Sequence, residues 1–435
     1  MKIGIIGGTN GLGKTMAWFL HDDGFDVTVT GRDVNNGAKV SKEIGVKYSK
    51  NNIETTKNSE IVIIAVPIAS TEEVIEELAP HMQKGSVMMD VTSIKEGPAK
   101  KMEEFLGEDV EFIPMHPIFG PRTPDLNGQV IVLTPIHKGE WYEKVYDYFK
   151  SKKARIMETS PQHHDRMMAV VQVLTHFSYI STASAIEKLG INIKDTEDYE
   201  SPIYNLMIDT IARIVSQNPY LTYSIQHENK VGEQIREAFA DAVLELKDAI
   251  SRDDEEEFVD IAIRATKHMG DIQGALGRSD KAIKSLTEEL SQLKDSIGKE
   301  IGLRHIYSMQ IHIGVLEEID FEFVKLRDKN GKIRNLKIAN IEIMDDDEIF
   351  KWKIANEKIN KASISCIFPS DSDAEIIKDT LSTIRNMTNV EIQDVYDGPQ
   401  IGEKEISYTF KVESFDSNAI KKAKDTLKGF GGKIR

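Results

Sequence analysis

Residues 2–13 read KIGIIGGTNGLG, an apolar run that passes directly into a glycine-rich turn. Apolar residues follow at helical spacing (Met16, Ala17 and Leu20), so this stretch predicts a strand, a tight turn and a helix. A glycine-rich turn of this kind lets backbone N–H groups and the positive end of the helix approach a phosphate group. The stretch therefore predicts the first unit of a dinucleotide-binding α/β domain.

The turn departs from the usual dinucleotide fingerprint at one position. Gly8 and Gly13 take the first and third glycine positions, whereas Asn10 stands where the second glycine is usual. Asparagine tolerates left-handed backbone geometry, so this departure weakens the match without cancelling it. The predicted coenzyme-binding residues of the turn are Gly8, Asn10, Gly11, Leu12 and Gly13.

The same turn also fits other functions. Gly8 and the run Gly13-Lys14-Thr15 match the spacing of the phosphate loop in nucleotide triphosphatases, and Asp90 ends an apolar run as a magnesium-binding acid would. One observation disfavours the hydrolase: the turn follows its strand so closely that few residues are left to form a large loop around the phosphates. A redox-sensing protein that binds the dinucleotide without turnover is a third alternative.

The end of the second predicted strand carries the residues that select the coenzyme. An acidic residue about 20 residues past the glycines binds the ribose 2′-hydroxyl of NAD, whereas an arginine meets the 2′-phosphate of NADP. This chain has both, as Arg32 and Asp33. The sequence therefore predicts NAD or NADP and does not choose between them.

The pattern of apolar residues changes twice along the chain. Short β-rich runs alternate with helical patterns over residues 1–158, which predicts a Rossmann-type domain with a doubly wound parallel sheet. Helical patterns alone over 159–299 predict an all-α domain, and its long apolar faces indicate homodimer contacts. Strand signals, including Phe321–Leu326, return over 300–435, and the element order from about residue 361 predicts an α+β, ferredoxin-like (ACT-like) module.

Charge and hydropathy narrow the class of partner. The 435 residues carry a net charge of -16, which disfavours binding to nucleic acid and to anionic membranes. No apolar run long enough to cross a membrane is apparent, and the chain begins with a strand rather than a signal segment. We therefore expect a cytoplasmic protein with only local basic pockets for an anionic ligand.

No metal site is predicted. The single cysteine, Cys366, excludes a disulfide framework and a cysteine-based zinc site, and its apolar neighbours predict a buried, inert thiol. His163 and His164 are adjacent at the start of a long predicted helix, where neighbouring side chains point in different directions. For this pair we expect a helix cap or a domain contact rather than a metal ion.

Polar residues follow two neighbouring strands of the predicted sheet. Ser93 and Lys95 come after the apolar run Val87–Asp90, and His116 begins the loop HPIFGP after the next apolar run. Doubly wound folds bind their ligands at the carboxyl ends of parallel strands, so we expect one pocket to hold both segments. A histidine in a loop bounded by glycine and proline is favoured as a functional residue over a structural one.

Four strings, in this order and spacing, resemble the dehydrogenase region of the prephenate dehydrogenase family: DVTSIK, HPIFGP, HHDRMMAVVQVLTHF and SPIYNLMIDTIARIVSQNP. The resemblance covers roughly residues 1–280, and no chorismate mutase segment is expected before the glycine turn. It implies oxidative decarboxylation of prephenate to 4-hydroxyphenylpyruvate with NAD or NADP, on the route to tyrosine. Arogenate, with an amino acid side chain in place of the pyruvyl group, stays open as the substrate.

The resemblance also implies that the helical domain binds the substrate, and it implies roles for individual residues. His116 is the base or hydrogen-bond acceptor for the hydroxyl group of the substrate, and Ser93 contacts this histidine and helps to orient the nicotinamide and the substrate. Arg213 binds a substrate carboxylate, for which a forked guanidinium is well suited, and its apolar neighbours predict partial burial. His176 lines the substrate pocket, and Lys95 is a second anchor for an anionic group.

The C-terminal module has the element order of small regulatory modules that bind amino acids, which makes tyrosine its natural effector by analogy of fold. Its first turn, Phe368–Asp373, lacks the glycine that would let backbone amides approach a ligand carboxylate. A purely structural module that extends the dimer contacts is therefore the alternative.

Overall fold

The computed structural model describes residues 1–320 and 322–435. The chain divides into two compact units, Met1–Ile272 and Gln273–Arg435. The predicted dinucleotide-binding domain and most of the predicted helical domain therefore lie within the first unit.

A sheet of eight strands forms the centre of the first unit. Its strands are β1 (Lys2–Ile6), β2 (Asp26–Thr30), β3 (Lys47–Ser49), β4 (Ile61–Ile64), β5 (Val87–Asp90), β6 (Glu111–Pro117), β7 (Val130–Leu133) and β8 (Arg155–Glu158). They lie in the order β3-β2-β1-β4-β5-β6-β7-β8, and only β6 and β7 are antiparallel neighbours. All residues of β4 and β5 are buried, as in a parallel sheet with helices on both faces. The predicted doubly wound sheet is confirmed for β1 to β6, whereas β7 and β8 run antiparallel to these strands and correct the expectation of a fully parallel sheet.

Six helices accompany this sheet: α1 (Gly11–Asp22), α2 (Val34–Ile44), α3 (Asn52–Lys57), α4 (Ile68–Leu78), α5 (Glu96–Phe105) and α6 (Glu140–Ser151). Two apolar clusters form, one containing Ile3 and Ile5 and the other containing Val62 and Ile64. Because β1, β4, β5 and β6 are parallel, their carboxyl ends meet at one edge of the sheet. The glycine turn and both polar segments are brought to this edge.

A helical region completes the first unit. Its helices are α7 (Pro161–Met168), α8 (Thr175–Leu189), α9 (Pro202–Val215), α10 (Pro219–Glu228), α11 (Gly232–Ser251) and α12 (Glu255–His268). A π-helical turn, Ala169–Leu174, joins α7 to α8. Ser160 and Ser201 accept hydrogen bonds from backbone N–H groups where α7 and α9 begin, which satisfies donors that a helix leaves free. The predicted all-helical region is confirmed.

The segment Pro161–Leu189 corrects one expectation from the sequence. This continuous helix is long enough and apolar enough to cross a membrane, by length and composition alone. The expectation that no part of the chain meets these criteria was wrong, because scattered polar residues interrupt the apolar run without lowering its average enough. Core helices of soluble proteins pass the same test, so the finding by itself assigns no membrane role.

The second unit contains a five-stranded antiparallel sheet with the strand order β12-β11-β10-β9-β13. Its elements are α13 (Ile272–Asp295), β9 (Glu300–His305), β10 (Ile311–Ile319), β11 (Phe323–Arg327), β12 (Ile333–Lys337), β13 (Ile341–Ile343) and α14 (Asp346–Asn356). The first residue of the predicted strand Phe321–Leu326 lies outside the described residues. Leu293 of α13 is buried with the apolar residues of this sheet, so the helix belongs to the second unit.

The last part of the chain forms a four-stranded antiparallel sheet with two helices. Its elements are β14 (Asn360–Pro369), α15 (Ala374–Ser382), β15 (Met387–Tyr396), β16 (Glu405–Ser414), α16 (Ser417–Gly429) and β17 (Lys433–Ile434). The strand order is β15-β16-β14-β17. Cys366 is buried in the core beneath the helices, and burial raises the pKa of its thiol to about 11, which agrees with an inert cysteine.

Candidate active site

The glycine turn takes its left-handed geometry from glycines. Gly7 has φ +85° and Gly11 has φ +51°, whereas the backbone of Asn10 is extended with φ -146°. The expectation that Asn10 uses its tolerance of left-handed geometry was therefore wrong, because the adjacent Gly11 takes that conformation. The side-chain oxygen of Asn10 instead accepts a hydrogen bond from the Asn36 amide at 3.1 Å, which ties the turn to α2.

Two other glycines of the turn allow close packing. A Cβ atom on Gly13 would lie 2.9 Å from the Ala65 side chain, and one on Gly8 would lie 2.8 Å from Val29. A Cβ atom on Gly11 would meet nothing within 4 Å. The turn is thus packed tightly against the sheet and open at the start of α1, where the first N–H groups of a helix lack intrahelical partners.

The phosphate-loop alternative does not agree with this geometry. Only residues 7–10 separate β1 from α1. The Lys14 ammonium group lies 2.8 Å from the Glu43 carboxylate and so points toward α2. Asp90 is fully buried and forms an ion pair with Lys95, so an ammonium group already occupies the position that magnesium would need. We therefore discard a nucleotide triphosphatase.

Arg32 and Asp33 have different surroundings at the end of β2. One carboxylate oxygen of Asp33 accepts hydrogen bonds from the backbone N–H groups of Asn35 and Asn36, at 2.9 and 3.1 Å, and thereby caps α2. The Arg32 side chain is exposed, and no partner for it is found among the residues that the structure describes. Asp33 is thus used to cap α2, whereas the Arg32 guanidinium is available to bind a ligand.

Two histidines and an aspartate form a buried chain at the carboxyl edge of the sheet. The Nδ1 atom of His116, on β6, lies 2.9 Å from Nε2 of His164 on α7. The Nδ1 atom of His164 lies 2.7 Å from Oδ1 of Asp165. All three residues are buried, so solvent does not compete for these hydrogen bonds.

Backbone N–H groups fix Asp165 as the end of this chain. Its two carboxylate oxygens accept hydrogen bonds from the N–H groups of Lys95 and Glu96, at 2.8 and 2.9 Å. These groups stand at the start of α5, where the helix dipole favours negative charge. The Asn229 side chain also donates to the backbone carbonyl of Asp165 at 2.8 Å. These hydrogen bonds hold the Asp165 carboxylate in place.

These contacts determine which nitrogen atoms carry protons. An ionised carboxylate only accepts hydrogen bonds, so Nδ1 of His164 must be protonated and its Nε2 must carry a lone pair. That lone pair accepts the Nδ1–H of His116. The Nε2 atom of neutral His116 therefore carries a lone pair of its own, and the arrangement makes it a base.

A buried ion pair lies beside the chain. The Lys95 ammonium group donates to a carboxylate oxygen of Asp90, to the Met115 carbonyl at 2.8 Å and to the Thr92 hydroxyl at 3.2 Å. Lys95 and Asp90 are both 0% exposed, so each charge depends on the other. Burial lowers the pKa of Lys95, and Asp90 opposes this shift. The pair holds the backbone immediately before His116.

Burial lowers the pKa of His116 well below its usual range, and the neighbouring His164 and Lys95 lower it further. A histidine with a lowered pKa stays neutral as the pH falls through the usual range near 6.5. Its Nε2 lone pair is therefore present at neutral pH, and a reaction that needs it would lose rate only in more acidic solution.

Two family models match the chain. The model "Prephenate dehydrogenase, nucleotide-binding domain" matches residues 16–158, and "Prephenate dehydrogenase, dimerization domain" matches residues 160–262. A probable arogenate/prephenate dehydrogenase of Methanocaldococcus jannaschii is 42% identical over 100% of this chain and 98% of its own length. The chain belongs to the prephenate dehydrogenase family.

Other members are similar over about two thirds of the chain. The T-protein of Haemophilus influenzae is 27% identical over 68% of this chain and 72% of its own length. The crystal structure of prephenate dehydrogenase from A. aeolicus, in complex with hydroxyphenyl propionate and NAD+, shares the fold with a TM-score of 0.50 at 20% identity, covering 62% of this chain and 97% of that chain. The protein is thus an oxidoreductase that uses NAD or NADP.

The remaining predicted residues have varied positions within this dehydrogenase. Ser93 is half-buried after β5, and in the described part of the chain it forms no hydrogen bond to His116, whose Nδ1 partner is His164. His176 is buried, its Nδ1 atom has no partner there, and burial lowers its pKa. Arg213 is exposed, contrary to the predicted partial burial, and Lys95 is too deeply buried to meet a ligand as predicted.

Sequence reasoning missed four polar residues of the site. His164, Asp165, Gln172 and Asn229 contact His116 or its partners. Three of them lie in the string HHDRMMAVVQVLTHF, which the family resemblance had already picked out. His164 and Gln172 each lie four residues from the apolar Met168, and this spacing could have predicted that they face the same side of the helix. Nothing in the sequence around Asn229 indicates its role.

Proposed function

We propose that the chain oxidises prephenate at its C4 hydroxyl group and releases the ring carboxylate as carbon dioxide, which gives 4-hydroxyphenylpyruvate. The observation that carries this proposal is the Nε2 lone pair of His116, held at the carboxyl edge of the sheet by His164 and Asp165. Arogenate offers the same ring to the same base and is the second candidate substrate.

The residues of the glycine turn fit a dinucleotide. Gly11 leaves open space where a side chain would stand, and the start of α1 offers N–H groups to a pyrophosphate. We assign the contacts to Gly8, Asn10, Gly11, Leu12 and Gly13. When bound, NAD or NADP accepts the hydride that leaves C4 of the substrate.

His116 acts as the base in this scheme. Its Nε2 atom accepts the proton of the C4 hydroxyl group. The positive charge that then develops on the imidazole ring of His116 is stabilised through His164 by the Asp165 carboxylate. His116 is also the group that returns a proton to the oxygen as the ring becomes aromatic. The buried pair of Lys95 and Asp90 has a positioning role, because it fixes the backbone before His116.

Three further residues face the substrate in this proposal. Arg213 binds a substrate carboxylate, which its exposed guanidinium on α9 is free to do. The unpartnered Nδ1 atom of buried His176 is a polar group that a substrate would satisfy. Ser93 stays a candidate contact for the nicotinamide and the substrate, because its loop leads from β5 toward Lys95 and Glu96.

The helical region is proposed to form a homodimer. Its helices expose many large apolar side chains, among them Val170, Val171, Ile203, Leu206, Met207, Val243, Leu244, Phe258, Val259 and Ile263. Exposed apolar surface of this extent is typical of an interface. The apolar helix Pro161–Leu189 also carries His164 and Asp165 in the buried site, so a partner chain suits it better than lipid. We accordingly place the enzyme in the cytoplasm.

A coupled assay tests the proposed reaction. Purified protein is mixed with prephenate or arogenate and with NAD or NADP, and the reduced coenzyme and carbon dioxide are measured together. We expect equimolar amounts of both products with prephenate, because hydride transfer and loss of the carboxylate belong to one reaction. Turnover with arogenate alone would reassign the substrate, and no turnover with either would refute the proposed function.

Arg32→Ala is expected to weaken NADP binding roughly 10- to 100-fold and to leave NAD binding nearly unchanged, because only NADP has a 2′-phosphate for a charge-assisted hydrogen bond. Arg32 has no partner among the described residues, whereas Asp33 caps α2. Calorimetric titration of both coenzymes measures the effect, with Arg155→Ala on β8 as the matched control. Equal losses for NAD and NADP would reduce Arg32 to a general contact with the adenosine.

The C-terminal module is proposed to be ferredoxin-like and related to ACT modules. The order strand, helix, strand, strand, helix, strand and the sheet order β15-β16-β14-β17 support this classification. Tyrosine is the proposed effector, although groups of the first turn are already engaged: Asp373 caps α15, and the Ser372 carbonyl accepts the Tyr408 hydroxyl. A structural role for this module is the alternative.

A chain that ends at Ile272 is expected to keep dehydrogenase activity and to lose any tyrosine inhibition that is non-competitive with prephenate. The shortened chain contains the whole first unit. It lacks Leu293, whose apolar partners lie in the core of the second unit and are removed with it. Inhibition kinetics of full-length and shortened protein measure both effects. Non-competitive inhibition that survives would place the effector site in the first unit, and loss of all activity would show a structural role for the removed part.

A further inference from the structure

Gln172 stands at the reactive nitrogen of His116. Its amide nitrogen lies 3.4 Å from Nε2 of His116, and the side chain is half-buried. Because that Nε2 atom carries a lone pair, the Gln172 amide N–H donates toward it, and the amide orientation follows from the same proton assignment. The amide therefore occupies the side of His116 from which a substrate proton must arrive.

The π-helical turn explains why Gln172 faces the site. In a regular α-helix, residue 172 would lie about 80° around the axis from residue 164. The turn Ala169–Leu174 holds more residues than an α turn, which brings Gln172 closer to the line of His164 and His176. Such turns are often found at functional sites. The widened turn serves to point the amide at His116.

We propose that Gln172 is a catalytic residue that donates an N–H to the C4 oxygen of the substrate. This inference rests on the proposed function. The C4 oxygen must come within hydrogen-bond distance of His116 Nε2 to give up its proton, and it then lies within reach of the Gln172 amide. The amide turns from the histidine to the substrate oxygen when substrate enters.

The reaction creates negative charge on that oxygen. The O–H bond breaks and its proton moves to His116, while the C4–H bond breaks and its hydrogen leaves as hydride to the coenzyme, which gives a ring ketone. The bond to the carboxylate then breaks, carbon dioxide leaves, and the electron pair flows through the ring to the C4 oxygen. A donor placed in advance at this oxygen stabilises the charge as it develops. His116 finally returns the proton and the phenol results.

Gln172→Met and Gln172→Glu test the inference. Methionine keeps the size and removes the donor, and glutamate keeps the shape and places a negative charge beside the oxygen. We expect kcat to fall about 10²- to 10³-fold, the usual loss for one donor to a developing oxyanion, with a much smaller change in KM. Gln162→Met, on the exposed side of α7, is the control and should retain wild-type kcat.

A binding measurement separates this role from a structural one. Wild-type enzyme with bound coenzyme should bind 4-hydroxyphenylpropionate up to about tenfold more tightly than phenylpropionate, which lacks the oxygen. Gln172→Met should reduce this ratio and leave the affinity for phenylpropionate unchanged. A merely structural residue would weaken the binding of both ligands together.

The failures of the two proposals are distinguishable. Wild-type protein that turns over neither prephenate nor arogenate refutes the proposed function. If wild-type protein is active but Gln172→Glu or Gln172→Met keeps wild-type kcat and an unchanged ligand ratio, the inference about Gln172 is overturned. Should Gln172→Met fold poorly, the nearly isosteric Gln172→Glu decides the question by itself.

Discussion

His116→Asn is expected to lower kcat about 10²- to 10⁴-fold, the usual contribution of a positioned general base. Asparagine is smaller but keeps an N–H group that can donate as Nδ1–H does, and its amide offers no nitrogen that accepts a proton near neutral pH. Coenzyme affinity should stay unchanged, because the glycine turn lies on β1 and α1 and does not involve His116. Initial rates and coenzyme titrations measure the two effects.

His137→Asn provides the matched control for this variant. His137 is exposed in the loop between β7 and α6, away from the buried chain of histidines. It should keep the wild-type rate and the wild-type coenzyme affinity. A normal kcat in His116→Asn with a folded chain would show that another group takes the hydroxyl proton.

Asp165→Asn should lower kcat on the order of 10²- to 10⁴-fold without direct contact to substrate, because loss of the carboxylate leaves the tautomers of both histidines unset. The amide can present an N–H to His164, which would then turn its own proton toward His116. The lone pair of His116 would no longer be confined to Nε2. The new amide would also face the N–H groups of Lys95 and Glu96, at a cost of about 1–3 kcal/mol in stability.

The measurements for Asp165→Asn are the pH profile of kcat and the free energy of unfolding. The exposed Asp147 on α6 allows a control, Asp147→Asn, that removes the same charge elsewhere in the unit. That control should match the wild type in both quantities. A stable Asp165→Asn enzyme with wild-type kcat would show that the carboxylate does not set the tautomers.

The central sheet could be read from the sequence because its strands are buried on both faces and are therefore apolar throughout. The runs that became β4 and β5 are of this kind. By contrast, β3 and β8 are short edge strands with few buried residues, so no apolar run in the sequence predicted them. The antiparallel direction of β7 was equally hidden, because periodicity carries no information on direction.

The functional residues were predictable in type but not in their contacts. His116 was recognisable from its loop. Lys95 was predicted to bind an anionic ligand, because nothing in the local sequence shows that its ammonium group is buried and paired with Asp90. His164 and Asp165 are adjacent in sequence, and the rule for adjacent helix positions excludes a shared metal ion. That rule does not exclude a chain of hydrogen bonds in which His164 contacts both Asp165 and His116, which lies on β6 and 48 residues earlier in the sequence. Long-range pairing of this kind appears only when the chain is folded.

The proton positions on His116 offer the most direct test of its role as a base. Protein labelled with ¹⁵N-histidine is examined by NMR over a pH series, and His116→Asn assigns the signals. We predict a neutral ring at pH 7 with the proton on Nδ1 and a lone pair on Nε2, and protonation of Nε2 only below about pH 6.5, because burial lowers the pKa of His116. A ring that carries its proton on Nε2 at pH 7, or that is already doubly protonated there, would contradict the assignment of His116 as the base.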